Sequence, residues 1–276
     1  MGFSSKHPII FILMFISAYR DQIIIAQAQE STPYYLAWKF CFGTNYTANS
    51  TYRTNLNLFF SSLSTKFTNN TVPLHGYHNI KIGESPNTVY GSLHCREDMA
   101  PAICSKCVQI ATERVIMQNS GCPNRKTAIL FYNGCILRYS DENYFSVLRQ
   151  QPSINLTYTD NSVVDQVQYI DIITGLLDDL VIEAVTNTSI SPSLYATRSA
   201  NYTMSDQVYV MVQCTPDLTP SVCYKCLRSA VGRLSGCCSG AQGARVLFPS
   251  CTFRFEKAPF FGNYVYNIIR ASPPTL

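Results

Sequence analysis

The sequence has little of what an enzyme active site usually needs. It contains four histidines, the last of them His94, so most of the chain has none. No nucleophile motif is present, and residues 240–243 lack the lysine and the strand-to-helix context of a phosphate-binding loop. We therefore predict a protein that is not an enzyme and that carries no cofactor and no metal.

An excess of one charge is also missing. The 21 basic and 17 acidic residues give a formal net charge of +4, and the basic residues form no stripe along the chain. Nucleic acids are bound through concentrated positive charge. The charge pattern therefore predicts no nucleic-acid partner.

Long apolar runs are confined to the N-terminus. Lys6 and His7 precede the apolar run 8–18, and residues 26–28 offer a small-x-small cleavage pattern, so residues 1–28 are predicted to be a signal peptide. Further along, no run approaches the roughly 20 apolar residues of a membrane helix. We expect a secreted protein whose C-terminal tail, 263–276, carries no membrane anchor.

Potential N-glycosylation sites agree with secretion. Six Asn-x-Ser/Thr sequons occur, although such triplets also arise by chance in a chain rich in Asn and Thr. They lie at Asn45, Asn49, Asn69, Asn155, Asn187 and Asn201.

Cysteine, in contrast, is abundant and repeated. The spacing Cys95-x8-Cys104-x2-Cys107 recurs 119 residues later as Cys214-x8-Cys223-x2-Cys226. A repeat this specific predicts two copies of one module. We place the first domain at residues 33–145 and the second at 151–262, with a boundary at Gln150-Gln151-Pro152.

The twelve cysteines, six in each half, have three interpretations. In an exported chain their usual state is the disulfide. A zinc site would need a second Cys-x2-Cys pair or suitably spaced histidines, and a redox site would need thiols that change state. Structural disulfides are the preferred interpretation, but spacing alone does not choose their connectivity.

The residue pattern predicts the same element order in both modules: strand, helix, strand, helix, hairpin. In the first, apolar residues at helical spacing follow Ser50, Pro101 opens a second helix, and Asn133-Gly134 marks the hairpin turn. The glycine-, proline- and asparagine-containing segment 72–87 is predicted to be a loop. In the second, Ser162 and Asp165 form a capping box before a helix whose apolar face includes Val167, Ile170, Ile173, Leu177 and Leu180.

The doubled cysteine motif, followed by two more cysteines and an aromatic-rich closing strand, resembles the ginkbilobin-homologous domain, the salt-stress/antifungal domain of plants. Two copies after a signal peptide resemble the plant cysteine-rich repeat secretory proteins. The resemblance implies an α+β fold of two tandem, disulfide-stapled modules, each with two helices packed on an antiparallel sheet of about five strands. It also implies secretion to the apoplast.

The family pattern implies five disulfides and leaves two cysteines unassigned. Cys237 and Cys238 are adjacent, and the second module has no cysteine equivalent to Cys41. The pair could form a vicinal disulfide, bond to another chain or stay reduced. The implied disulfides are Cys41–Cys122, Cys95–Cys104, Cys107–Cys135, Cys214–Cys223 and Cys226–Cys251.

In the founding antifungal lectin of the family, mannose is held by an Asn directly after the first cysteine, an Arg six residues before the last cysteine and a Glu five after it. The first module has Phe42, Ile129 and Ser140 there, so the resemblance implies no sugar site in it. The second has Arg245 and Glu256, while its Asn position cannot be assigned from the sequence. The alternative interpretation of Arg245 and Glu256, which we prefer, is a cross-strand ion pair on the closing hairpin.

The resulting functional hypothesis is a secreted, non-catalytic binding protein with an antifungal or stress role. Its partner is expected to be a mannose-type glycan, bound through Arg245 and Glu256, or an extracellular protein. A thiol-redox protein is the third and weaker alternative.

Overall fold

The computed structural model of the chain describes residues 32–68, 72–118, 121–158, 165–186 and 193–262. The predicted signal peptide, 1–28, and the predicted tail, 263–276, lie outside these ranges, as do the sequons at Asn69 and Asn187. The described residues form two modules of one design, each a five-stranded antiparallel sheet with helices packed on one face.

The first module follows the order predicted from the sequence, with one additional strand. Its sheet has the order β1-β4-β5-β3-β2. The elements are β1 (Leu36–Asn45), α1 (Thr51–Lys66), β2 (Tyr77–Ile82), β3 (Val89–Cys95), α2 (Pro101–Arg114), β4 (Arg125–Tyr132) and β5 (Cys135–Ser140).

Both helices of this module begin where the sequence predicts. The hydroxyl of Ser50 accepts a hydrogen bond from the Arg53 N–H at 3.2 Å and so caps α1. Pro101 is the first residue of α2, where its missing N–H leaves no helical bond unmade. The aromatic face of α1 is buried against the sheet, with Phe59 fully inaccessible to solvent.

The second module repeats this arrangement, with the strand order β6-β9-β10-β8-β7. The predicted α+β class with two five-stranded antiparallel sheets is confirmed; the four-residue helix α5 adds to the two helices predicted here. The elements are β6 (Ile154–Tyr158), α3 (Gln166–Thr186), β7 (Tyr195–Asn201), β8 (Gln207–Cys214), α4 (Pro220–Val231), α5 (Leu234–Cys237), β9 (Gly243–Leu247) and β10 (Cys251–Glu256).

One residue predicted to lie on the apolar face of α3, Val167, does not lie there. Ile173, Leu177 and Leu180 are fully buried, but Val167 is 74% exposed. At about 3.6 residues per turn, Val167 lies roughly 120° around the helix from Ile173, which places it off the buried face. The cap is Asp165, whose Oδ1 accepts from the Gln168 N–H at 3.0 Å; Ser162 lies outside the described residues.

The prediction of a loop over residues 72–87 is wrong, because this segment contains strand β2. Among the strands of the described ranges it pairs only with β3, and it is mostly half-buried. Its sequence, Tyr-His-Asn-Ile-Lys-Ile, alternates between polar and apolar residues only over its last four positions, where Ile80 and Ile82 pack against the core. That run is short, and it lies between the glycines and prolines that suggested a loop. The edge strand β7 of the second module, which the residue pattern also did not predict, is the equivalent element.

Six disulfides join the described cysteines. Cys237 bonds to its neighbour Cys238, which selects one of the three alternatives considered for this pair. Neither Cys-x2-Cys motif closes on itself, since each of its cysteines bonds to a different element. The other bonds are Cys41–Cys122, Cys95–Cys104, Cys107–Cys135, Cys214–Cys223 and Cys226–Cys251, the pairs that the family pattern implies.

The two sheets pack against each other through the faces that carry no helices. Side chains alternate along a strand, so Ala128 and Leu130 of β4 face the helices while Ile129 and Phe131 face the second module. Ile129 and Phe131 are almost completely buried and form one apolar cluster with Leu247 of β9. The partly buried members of this cluster are Phe40, Ile136, Ile154 and Leu156.

Equivalent residues of the two modules hold this face together reciprocally. Asp98 Oδ2 accepts from the Gly262 N–H at 3.1 Å, and the equivalent Asp217 Oδ2 accepts from the Ser146 N–H at 2.6 Å. Each aspartate thus holds the segment that follows the other module's closing hairpin. The interface therefore has a local pseudo-two-fold symmetry, as expected for two copies of one module that meet through the same face.

Candidate functional site at the face between the modules

The two residues predicted to bind a sugar lie at the inter-module face. Alternation along β9 and β10 turns Arg245 and Glu256 away from the helices and toward the first module. Arg245 Nη2 lies 3.5 Å from Glu256 Oε1, and the side chains are 16% and 20% exposed. The predicted cross-strand ion pair is thus present.

Both members of this pair have further partners within the protein. Arg245 Nη1 donates to Asn133 Oδ1 of the hairpin turn in the first module. Glu256 Oε1 also accepts from Arg254 Nε at 3.0 Å. Arg245 therefore joins the two modules, and Glu256 is shared between two guanidinium groups.

The strand register now assigns the third position of the family's sugar site. In the first module Phe40 pairs with Ile129, and Phe42, two residues on, directly follows Cys41. In the second module Leu156 pairs with Arg245, which is the equivalent of Ile129. Tyr158 therefore occupies the Asn position and Thr157 the position of Cys41. A phenol that is 48% exposed replaces the amide of the lectin.

A neutral, buried pair lies beside the charged groups. His94 and Gln213, each directly before the first cysteine of its motif, are 2.7 Å apart between His94 Nε2 and Gln213 Nε2. Burial, together with the nearby His75, lowers the pKa of His94 to about 3. At neutral pH the unprotonated Nε2 accepts from the Gln213 amide, which adds a further polar contact between the modules.

Arg254 is also buried in this region, with 9% of its surface exposed, and was missed by the sequence analysis. Burial, followed by the neighbouring Arg245, lowers its pKa to about 9. Its guanidinium carbon lies 4.0 Å from the centre of the Phe260 ring. A signal was present in the sequence, because Arg138 and Arg254 each stand three residues after the last cysteine of their module.

The zinc and redox sites considered from the sequence have no matching arrangement of side chains in the described part of the chain. There, no group of three or more His, Cys, Asp or Glu side chains could hold a metal ion. Every cysteine within the same ranges is bonded in a disulfide. What the structure brings together is instead a polar inter-module face centred on Arg245, Arg254 and Glu256.

Comparison with protein families gives two matches to the salt stress response/antifungal family, over residues 40–142 and 156–258. Among curated proteins of Arabidopsis thaliana, cysteine-rich repeat secretory protein 1 is 34% identical, covering 91% of this chain and 69% of that protein. Cysteine-rich receptor-like protein kinase 25 is 35% identical, covering 91% of this chain but 36% of the kinase. The chain thus spans about a third of the length of its kinase relatives.

Comparison with solved structures also finds proteins with two tandem domains of this kind. The crystal structure of the tandem DUF26 ectodomain of the Arabidopsis thaliana receptor-like protein PDLP5 matches with a TM-score of 0.63 and 27% identity, covering 82% of this chain and 100% of that one. The corresponding ectodomain of PDLP8 matches with a TM-score of 0.65 and 22% identity over the same shares, which shows a common fold. None of the helices in the described ranges is long and apolar enough to cross a membrane.

Proposed function

The chain belongs to the salt stress response/antifungal family, and on that premise we propose that it is a non-catalytic recognition protein of the plant extracellular space that binds a protein partner. The extracellular localisation is supported by relatives whose names call them secretory proteins. The kinase relatives share only this region of their length with the chain, which favours recognition rather than catalysis as its role.

The proposal rests on one observation: Arg245 and Glu256 already have partners within the inter-module face. A sugar site uses guanidinium and carboxylate groups to satisfy neighbouring hydroxyls. Here Arg245 contacts Asn133 of the other module, Glu256 accepts from Arg254, and Tyr158 stands at the Asn position. A mannose-type ligand would have to replace contacts that join the modules, so a protein surface is the favoured ligand.

The exposed apolar side chains are compatible with protein recognition. Outside the inter-module cluster, Trp38 and Tyr224 are each 40% exposed, and Leu74 is 71% exposed. Aromatic side chains are enriched where proteins bind one another.

Two binding screens with the purified mature protein test the proposal. We expect a glycan array that includes mannose-type glycans to stay blank, and a panel of purified extracellular domains from the same plant to contain at least one saturable partner. Binding of mannose-type glycans that is lost in a folded Arg245→Ala variant would contradict the proposal and establish the lectin function instead.

A matched control separates a sugar site from a general loss of structure. Arg198→Ala removes an arginine that forms exposed ion pairs with Asp179 and Glu183, away from Arg245. If Arg198→Ala and Arg245→Ala weakened glycan binding equally, the lectin interpretation would fail as well.

A further inference from the structure

A cavity of about 50 Å³ lies between the two sheets, beside the Arg245–Glu256 pair. Most of its wall is apolar and comes from both modules. Three guanidinium groups, those of Arg96, Arg245 and Arg254, also line it. The apolar lining residues include Phe131, Ile136, Met211, Leu247 and Phe253.

Arg254 has unused hydrogen-bond donors at this cavity. The residue is 9% exposed, and its Nε donates to Glu256. No residue in the described ranges accepts a hydrogen bond from its Nη1 or Nη2. A guanidinium group carries five N–H donors in a fixed planar fork, so four of them remain for an occupant of the cavity.

The charges around the cavity are unequal. Asp98 pairs with Arg96 through two contacts, from Nε to Oδ1 at 2.6 Å and from Nη2 to Oδ2 at 2.9 Å. Glu256 is shared by Arg245 and Arg254. Among the described residues, three guanidinium groups thus face two carboxylates around the cavity. This local excess of positive charge favours a negatively charged occupant over a neutral one.

The size and lining of the cavity restrict the class of anion. An apolar protein cavity of about 150 Å³ holds benzene, so a cavity of about 50 Å³ has no room for a ring and restricts the occupant to a small group. Apolar walls suit a carboxylate on a short aliphatic body better than the strongly hydrated, tetrahedral phosphate. A planar carboxylate also matches the two parallel N–H donors of a guanidinium group.

We propose that the cavity between the two modules binds a small carboxylate, held by Nη1 and Nη2 of Arg254, with its aliphatic part against Phe131 and Leu247. The carboxylate belongs either to a free short-chain acid or to the C-terminus of a peptide. Because its contacts come from both modules, the ligand also stabilises their association.

Nuclear magnetic resonance on the intact, disulfide-bonded protein tests the proposal with acetate as the probe. We expect saturable shifts of the Arg254 Nε–H signal and of the side-chain amides of Asn133 and Gln213. Acetamide, which has the shape of acetate without its charge, should give none. Loss of charge-assisted bonds of about 1.5–3 kcal/mol in Arg254→Gln should weaken acetate binding by about ten- to a hundredfold.

The control for Arg254→Gln is the equivalent arginine of the first module. Arg138 is the equivalent of Arg254 in the first module and lines a different cavity, so Arg138→Gln should leave acetate binding unchanged. Equal weakening by both variants would overturn the proposal, as would equal shifts with acetate, acetamide and phosphate. Absence of acetate-dependent shifts in the wild-type protein would overturn it even if Arg254→Gln failed to fold.

The two sources of the carboxylate are distinguished with larger probes. Propionate should bind at least as tightly as acetate if the natural ligand is a short-chain acid. A tripeptide with a free C-terminus should bind more tightly than propionate, and its C-terminally amidated form should not bind, if the ligand is a peptide end.

Discussion

Glu256 is the carboxylate on which two arginines of the closing hairpin depend. It accepts from Arg254 at 3.0 Å and lies 3.5 Å from Arg245, and it is only 20% exposed. Removing one partner of a buried ion pair leaves an uncompensated charge, at a cost of about 3–5 kcal/mol. For Glu256→Gln we expect a loss near 3 kcal/mol, since the site is a fifth exposed, measured as a lower urea midpoint with an unchanged m-value.

The control for this prediction is an ion pair of similar distance on the surface. Glu183 pairs with Arg198 at 2.7 Å, but the side chains are 47% and 41% exposed. Glu183→Gln should change the free energy of unfolding by less than about 1 kcal/mol. Equal losses in Glu183→Gln and Glu256→Gln would show that the inter-module location of Glu256 has no special importance.

His94 should make stability sensitive to acid. Its pKa is lowered to about 3 in the folded protein, mainly by burial, from the ordinary value of 6.5. Between these values the unfolded chain binds a proton at His94 that the folded chain does not bind. The free energy of unfolding therefore falls as pH is lowered through this window, by at most about 1.4 kcal/mol per pH unit.

Thermal unfolding at several pH values checks this expectation. His94→Gln keeps a neutral hydrogen-bonding side chain beside Gln213, so its Tm should fall less between pH 7 and pH 4 than that of the wild type. A pH dependence of Tm in His94→Gln identical to that of the wild type would refute the assignment.

At the residue scale, the sequence predicted the Arg245–Glu256 pair but not its surroundings. The family spacing identified both residues, and their position on the two arms of a hairpin predicted the contact between them. Asn133 was recognised only as a turn residue, and Arg254 was not considered. Their roles depend on which module surface faces the other, and spacing within one module contains no information about that.

Alanine is expected to have opposite effects on stability at two glycines, one packed beneath a helix and one exposed. In β3, a Cβ on Gly91 would lie 2.5 Å from the Phe59 ring of α1, whereas a Cβ on Gly175, in the exposed face of α3, would meet nothing within 4 Å. Gly91→Ala should cost about 1–3 kcal/mol through overpacking. Gly175→Ala should instead stabilise the protein by about 0.5–1 kcal/mol, because glycine is a poor helix former.

Chemical denaturation of both variants gives the signs of these changes. The close approach of Gly91 to the Phe59 ring places strand β3 beneath α1. A neutral Gly91→Ala would therefore contradict the packing of α1 on β3.

At the element scale, the sequence predicted the central elements better than the edges. Helices α1, α2 and α4 begin at residues whose capping or proline chemistry is local, so the chain itself marks their first turns. Edge strands β2 and β7 carry polar, partly exposed sequences, and each pairs in the described structure with a single strand, β3 or β8, so no continuous apolar pattern marks them. The family resemblance implied about five strands where the residue pattern gave four.

The packing of the two modules had a signal in the sequence that was not used. Residues 128–131 of β4, Ala-Ile-Leu-Phe, form a continuous apolar run, and such a run is typical of a strand buried on both faces. Helices cover one face, and the second module covers the other. The sequence could thus predict that β4 needs a second cover, although not that the other repeat provides it.

Phe131 tests whether the chain unfolds as one unit. It is 1% exposed in the inter-module cluster, so Phe131→Glu places a charge between the sheets while leaving the helix-facing cores intact. Each module keeps its own core and disulfides, so calorimetry should change from one transition in the wild type to two, the first at a lower Tm. Phe42, 40% exposed on the same sheet, is the control, and Phe42→Glu should retain one transition. A single transition in both variants would mean that the modules still unfold together and that their coupling does not depend on Phe131.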